Sequence, residues 1–501
     1  MGQAATRKRA VVIGGGITGL TACYRLTQQA QAGGLPLDVV LLEAGDRLGG
    51  VIATHCRDDL LLEEGPDCFL TTKPEGVELC DELGLSAELI GTTTEHRQSF
   101  IVRRGKLVPV PQGFYLMAPG SLWPFVATPA FSWPGKLRMA LDLVLPRGAS
   151  EADESLADFV TRRLGREALE RMAQPMLGGI YTADPRHLSM QATMPQFLDM
   201  ERRHRSLILA LRRRQRQAGA QQPGACPGPR SGVSGARYGL FASFRHGMQT
   251  LVDALADRLP AGTVRLQTPV RSVRRAPPSP PHLLGGARGG RWIVSPQACP
   301  DLEADAVCLA LTAPQAARLL TGLDPELTAG LCDIPYASSA TVTMAYDRAN
   351  VAHPLNGMGF VVPAVEQRNL IACTFSSVKF AGRAPDGKVL LRAFVGGALQ
   401  QEQALWPDAK LQDAVLRDLQ QLLGLTGTPA LCHVSRHPSA MPQYHVGHLA
   451  RIDRLEAAAR RWPGLTLAGN AYRGVGVPDC IRSGDEAAWG LLQGLFQEGS
   501  Q

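Results

Sequence analysis

Gly14, Gly16 and Gly19 stand at the spacing G-x-G-x-x-G, directly after the apolar run Arg9-Ala-Val-Val-Ile13 and ahead of a helical pattern. Residues in that order suit a phosphate. The first glycine permits a tight turn, the second lets a pyrophosphate approach the backbone, and the third lets helix and strand pack closely. Unpaired N–H groups and the dipole at the helix start favour negative charge there. Glu43 closes a second apolar run, Leu37 to Leu42, where a carboxylate can accept hydrogen bonds from a ribose diol. A glycine turn beside a solvated glutamate is the plainer alternative, and strand, helix and acid together favour the dinucleotide. A second turn, Gly469-Asn-Ala-Tyr-Arg-Gly-Val-Gly-Val477, precedes the final helix. Its flexible backbone could lie against a ring, with donors and a helix dipole that stabilise charge on a reduced cofactor.

These residues need elements to hold them. Arg9 to Ile13 reads as a parallel strand buried on both faces. The helix after it carries Leu20, Tyr24 and Ala30 on one stripe, so residues 9–43 form a βαβ unit. Further on, a helix with Leu251, Leu255 and Leu259 leads into a strand from Val264 to Val273, and Ala306 to Leu311 is another buried strand. Residues 410–424 form an amphipathic helix. Leu465 to Gly469 is a strand that enters the second glycine turn, and the helix that follows Asp479 turns Ile481, Ala488, Leu491, Leu492 and Leu495 inward. Two stretches, 214–237 and 276–290, are rich in Gly, Pro, Gln or Ala and read as mobile surface loops.

Composition bounds the function. The chain has 501 residues, and about 100–200 residues per domain leaves room for several domains or one large α/β unit. Hydrophobic residues make up 45% and charged residues 19%, which excludes general disorder. The charge surplus, 52 − 45 = +7, is spread along the chain, so no nucleic-acid partner is expected. Eleven cysteines without a C-x-x-C pair argue against disulfides and structural zinc, and a cytoplasmic location is expected. His445 and His448 lack a nearby carboxylate or thiol and read as ordinary hydrogen-bonded histidines, with no metal. No apolar stretch is long enough to span a bilayer.

Arg47-Leu-Gly-Gly50 follows Glu43 at once and resembles the arginine and glycine pair of FAD enzymes of the amine oxidase and protoporphyrinogen oxidase class. Five further segments extend the match: Glu64-Gly-Pro-Asp-Cys-Phe69, Gly179-Ile-Tyr-Thr-Ala-Asp184, Arg203-His-Arg-Ser-Leu-Ile208, Met441-Pro-Gln-Tyr-His-Val-Gly-His448 and Gly469 to Ile481. In order and spacing they resemble the porphyrinogen oxidases of haem biosynthesis over nearly the whole chain. The Gram-positive-type branch, whose members oxidise coproporphyrinogen III, is the nearest in pattern.

The resemblance implies an α/β fold: a Rossmann-like FAD-binding domain (1–55, 245–315 and 455–501), an α+β substrate domain (56–110 and 316–454) and an inserted helical lobe (111–213). It implies noncovalent FAD, with Cys480 a buried thiol. The cofactor would be held by Gly14, Gly15, Gly16, Ile17, Thr18, Gly19, Glu43, Ala44, Arg47, Gly49, Gly50, Val51, Gly65, Pro66, Asp67, Cys68, Val270, Gly469, Asn470, Val475, Gly476 and Val477. It also implies a macrocycle slot lined by Gly179 and Ile180, a porphyrinogen substrate, oxygen as acceptor, peripheral membrane contact by the lobe, and transient contact with the next haem-pathway enzyme. Because the flavin carries the electrons, no catalytic side chain is expected.

One departure bears on substrate. Eukaryotic members carry Arg where this chain has Asp67, and an ionised Asp cannot pair with a propionate. The resemblance offers Lys73 as the cation instead. A solvated surface lysine is the other reading, and the sequence leaves both open. A flavin amine oxidase or desaturase, and a flavin-binding scaffold without activity, also share the first fingerprint. Protoporphyrinogen IX is the alternative substrate.

Overall fold

The computed structural model describes residues 7–111, 113–148, 152–221, 239–277 and 291–496. Strand β1, Lys8–Ile13, runs parallel to β2, Leu37–Leu42, with Lys8 opposite Leu37 and Ile13 opposite Leu42. Helix α1, Ile17–Ala32, joins them, so the expected βαβ unit is present. Three later strands complete a five-stranded parallel sheet: Val264–Arg265 beyond β2, then Ala306–Leu309 and Leu465–Leu467 on the far side of β1. Ala10 and Val12 enter the core beneath α1, whereas Val11 and Ile13 enter the opposite core. That period-two split shows why the run is apolar throughout: both faces are covered.

The two chain ends meet through close helix packing. The C-terminal helix, Val477–Phe496, lies against α1, and a Cβ on Gly484 would stand 2.5 Å from the Thr18 carbonyl oxygen. Glycine at 484 therefore sets the distance between the helices.

A second sheet has seven strands, ordered Leu431–Pro442, Tyr336–Asp347, Lys388–Gly396, Leu370–Phe375, Gly359–Val361, Phe100–Arg103 and Lys106–Pro109. One face packs on the amphipathic helix Asp408–Leu423, which ends where Gly424 adopts φ 64°. Helices between residues 122 and 221 build a separate core around Phe159, Met172, Leu177, Phe197 and Leu207. The architecture is α/β.

Three expectations need correction. The strand expected from Val264 to Val273 is two strands in different sheets, Val264–Arg265 and Val270–Arg275. Gln267, at φ 50°, breaks the run, and the amides of Gln267 and Thr268 donate to the carbonyls of Gly45 and Glu43. Residues 214–221, expected in a loop, continue the helix Leu207–Gln221; the rest of that loop to 237, and 278–290 of the other, lie outside the described residues. The final helix begins at Val477 rather than after Asp479, which places Asp479 in its first turn.

Candidate functional site

The first glycine turn is shaped by close approach. Gly14 has φ 110°, a conformation disfavoured by a side chain, and a Cβ there would overlap the Ala310 carbonyl oxygen. A Cβ on Gly19 would overlap the Gly14 carbonyl oxygen. Gly16 differs: a Cβ there meets nothing within 4 Å, so the space beside it is open. Gly16 is the N-cap of α1 without a side-chain cap, and the first turn holds no acid. Uncapped amide donors beside open space fit a phosphate group.

The loop after β2 closes over this turn. The Gly49 N–H donates to the Gly15 carbonyl at 2.8 Å. Arg47 donates to the carbonyls of Leu48, Gly50 and Ile52, so its guanidinium shapes the loop from within. Ala44, Gly50 and Val51 are exposed on the loop's outer side. Glu43 accepts from the Gly15 N–H (2.6 Å) and the Gly45 N–H (2.7 Å). Its carboxylate holds the two turns together and retains further acceptor positions for a diol. Val270 begins its strand directly after the segment bonded to residues 43–45.

Gly65 packs so closely on the 47–51 loop that a Cβ would overlap the Val51 carbonyl oxygen. Beyond it, Asp67 forms an ion pair with Lys379 at 2.9 Å, and the Lys379 ammonium also lies 3.2 Å from the Cys68 sulfur. Burial alone would raise the Asp67 pKa, but the charges of Lys379 and Arg392 outweigh it and hold the carboxyl at about 2. Burial, with Asp67 alongside, pushes the Cys68 thiol up to about 12. Arg392 and His437 donate to the Glu64 carbonyl at 2.6 and 2.9 Å. The 64–68 loop is thereby fastened to the seven-stranded sheet.

This pair carries a pH dependence. The Asp67 pKa is lower folded than in an unfolded chain, where it lies near about 4. Its stabilising contribution is therefore complete above about pH 4 and is lost as pH falls toward 2. Lys379→Met leaves the carboxylate buried without its main partner and is expected to cost about 3–5 kcal/mol at neutral pH. Urea denaturation at neutral and at acid pH checks this: the variant's deficit should shrink in acid.

The second glycine turn lies beyond β1. Gly469 has φ 130° and Gly474 φ 147°; a Cβ on Gly474 would overlap the Asp479 carboxyl carbon. Asp479 accepts from the Gly476 N–H at 3.1 Å. The structure gives Lys73 a protein partner: its ammonium sits 2.6 Å from the Asp479 carboxylate, which Arg482 also meets at 3.0 Å. Lys73 ties the loop after residue 70 to the start of the C-terminal helix, and its side chain stays 40% exposed.

Gly179 and Ile180 lie on the helix Gln174–Tyr181, entered through a π-helical turn, Leu169–Ala173, and ended by Thr182 in a left-handed conformation. Both are exposed, and a Cβ on Gly179 meets nothing within 4 Å. The structure thus gathers residues 14–19, 43–51, 65–68 and 469–477 around one region and leaves the 179–180 face open. Sequence reasoning missed Lys379, Arg392 and Tyr444. Lys379 stands 312 residues from Asp67, and no local pattern marks it. Asp479 and Tyr444 lay within quoted motifs, but their partners were not legible.

A family model described as flavin containing amine oxidoreductase matches residues 17–492. The chain belongs to that family. Its cofactor is FAD; the amide donors beside Gly16 suit the pyrophosphate of that molecule, and the Glu43 carboxylate, an acceptor, suits its ribose. This flavoprotein is 35% identical to the coproporphyrinogen III oxidase of Bacillus subtilis (strain 168), over 98% of this chain and 99% of that one. It is 37% identical to the coproporphyrinogen III oxidase of Propionibacterium freudenreichii subsp. freudenreichii, over 97% and 91%. A solved structure from Exiguobacterium sp. 255-15 is similar at TM-score 0.82 and 32% identity, over 97% of this chain and 99% of that one.

Proposed function

We propose that this flavoprotein oxidises a porphyrinogen to the porphyrin in haem biosynthesis, with coproporphyrinogen III as the favoured substrate and oxygen as acceptor. The observation that carries the reading is the open Gly179–Ile180 face, held through Tyr181 beside the glycine turns, in a chain that matches coproporphyrinogen III oxidases from end to end. Bound FAD would accept the electrons. The five-stranded sheet and its helices form the FAD unit in this reading, the seven-stranded sheet the substrate unit, and the helices between residues 122 and 221 the channel lobe.

Each residue group then has a task. The amides at the start of α1 would hold the pyrophosphate beside Gly16, and Glu43 would take the ribose. Residues 49–51, 65–68 and 469–477 would hold the ring, while Gly179 and Ile180 would leave a gap for the macrocycle. The remaining work is to orient a substrate carbon and exclude water, which needs shape rather than an acid or base. Cys480 is buried, and its thiol, pushed up to about 12 mainly by burial, stays protonated, which supports a noncovalent flavin.

Aerobic assay of coproporphyrinogen III and protoporphyrinogen IX by porphyrin fluorescence tests the proposal. Faster oxidation of the first is expected. Preference for the second would reassign the substrate, and a colourless protein that takes up no flavin would end the reading.

No helix among the described residues is long and apolar enough to cross a membrane. Trp123 (81% exposed), Trp133, Leu137 and Val144 instead form an exposed apolar surface, with exposed Arg147 following. Exposed apolar groups of this size suit an interaction surface, and we assign them to peripheral membrane contact. Flotation with phosphatidylglycerol-rich vesicles at low salt should carry the protein upward, and Trp123→Ala with Trp133→Ala should leave it at the bottom; equal flotation would remove this contact. Transient hand-over of the porphyrin to the next pathway enzyme is the partner contact consistent with this function.

A further inference from the structure

The turn from Ala468 to Gly476 belongs mostly to neither helix nor sheet, so its backbone polar groups must find other partners. Ser483 accepts from the Gly469 N–H at 2.9 Å and Asp479 from the Gly476 N–H, both from the helix that follows. Arg482 donates to the Arg473 carbonyl and the Cys480 N–H to the Gly476 carbonyl, also from that helix, and the Ala468 N–H donates to the Leu309 carbonyl. Three further bonds come from one short segment, Gln443 to His448. The Tyr444 hydroxyl donates to the Asn470 carbonyl at 2.6 Å and accepts from the Gly474 N–H at 2.8 Å. Its ring stacks on His448 with centroids 3.9 Å apart and planes at 14°, and His448 Nε2–H donates to the Tyr472 carbonyl at 2.8 Å. Tyr444 is 1% exposed, so loss of its hydroxyl bonds would leave buried groups unpaired.

The same segment grips the opposite side of the site. Gln443 Nε2 donates to the Tyr181 carbonyl at 3.2 Å, and the Tyr181 and Tyr444 rings lie 6.5 Å apart. The Ser189 N–H donates to the Tyr444 carbonyl and the Val446 N–H to the His187 carbonyl, each at 2.8 Å. Tyr181 ends the helix that carries Gly179 and Ile180. One six-residue clasp therefore holds both the second glycine turn and the end of the slot helix.

We propose that Tyr444 is a positioning residue that couples cofactor binding to the shape of the slot. Its hydroxyl keeps the glycine turn in the form that receives FAD, and its segment passes that form to the slot helix, so cofactor and planar tetrapyrrole tighten each other's binding. The inference rests on the functional reading above. Such coupling is reciprocal by thermodynamic necessity. Tyr444→Phe keeps the ring and its stack on His448 and deletes both hydroxyl bonds, which isolates the effect.

The test follows FAD release from the holoenzyme, separated by rapid gel filtration, with and without saturating coproporphyrin III. In the unmodified protein the porphyrin is expected to slow release about tenfold, within the usual range of coupling between sites. In Tyr444→Phe the factor should fall below about twofold while both ligands still bind. Gln443→Met removes the slot-side bond to the Tyr181 carbonyl together with the side chain's local bond to the Met441 carbonyl, leaves both Tyr444 hydroxyl bonds in place and should lower the factor in the same way, which keeps the test open if the first variant fails to fold. A slowing preserved in the variants would mean that the porphyrin merely covers the cofactor, and would overturn the coupling. An unmodified protein that binds both ligands without any slowing would overturn it too. A protein that binds no FAD or no porphyrin fails at the functional reading itself.

Discussion

Gly16→Val is expected to fold normally and to purify without colour. Gly16 has φ −71° and ψ 175°, which any residue adopts, and a Cβ there meets no protein atom within 4 Å. The unliganded chain should therefore change in stability by no more than about 0.5 kcal/mol, as at an ordinary surface position. The space the valine fills is the space proposed for the pyrophosphate, beside the uncapped amides of α1. FAD affinity should fall at least about a hundredfold, a loss of about 2.7 kcal/mol. The ratio of flavin to protein absorbance, read beside the melting temperature of the flavin-free proteins, checks both halves. Gly19→Ala is the contrast: its Cβ overlaps the Gly14 carbonyl, so that variant should lose flavin and melt early. A yellow Gly16→Val protein would place the cofactor elsewhere.

Gly179→Leu should do the reverse, keeping its flavin and losing turnover by at least about a hundredfold in kcat/KM, equivalent to about 2.7 kcal/mol of transition-state stabilisation. Gly179 lies within a helix and has open space beside it, so leucine is tolerated locally and gains up to about 1 kcal/mol of helix propensity. The expected effect comes from filling the gap proposed for the macrocycle. Initial rates with coproporphyrinogen III, together with the flavin absorbance ratio, separate the slot from the cofactor site. Unchanged turnover would show that the substrate lies elsewhere.

The local signals read well where chemistry and neighbours coincide in sequence. Gly14 to Gly19 and Glu43 sit within one βαβ unit, so type, spacing and fold all appear in one stretch. The strand expected from Val264 to Val273 failed for the opposite reason. Val264, Leu266, Val270 and Val273 recur along it, yet its two halves pair with different sheets, divided where Gln267 takes a positive φ and the amides of residues 267 and 268 bond to Gly45 and Glu43. The protein partner of Lys73 was hidden in the same way: Asp479 lies 406 residues away, and an ion pair at that separation leaves no trace in local pattern.

By itself, the sequence showed a dinucleotide-type phosphate turn, because such a turn depends on glycines whose absent side chains are visible residue by residue, and the resemblance begun by Arg47-Leu-Gly-Gly50 pointed to FAD. It also determined the α/β class and the family, since both rest on local motifs repeated along the chain. Only the tertiary structure decided which charges meet. Asp67 found Lys379, Lys73 found Asp479, and Tyr444 joined the glycine turn to the slot helix. Electrostatic and hydrogen-bond partners depend on distances of a few ångströms in space, and those distances exist only after both sheets and the helical lobe have packed.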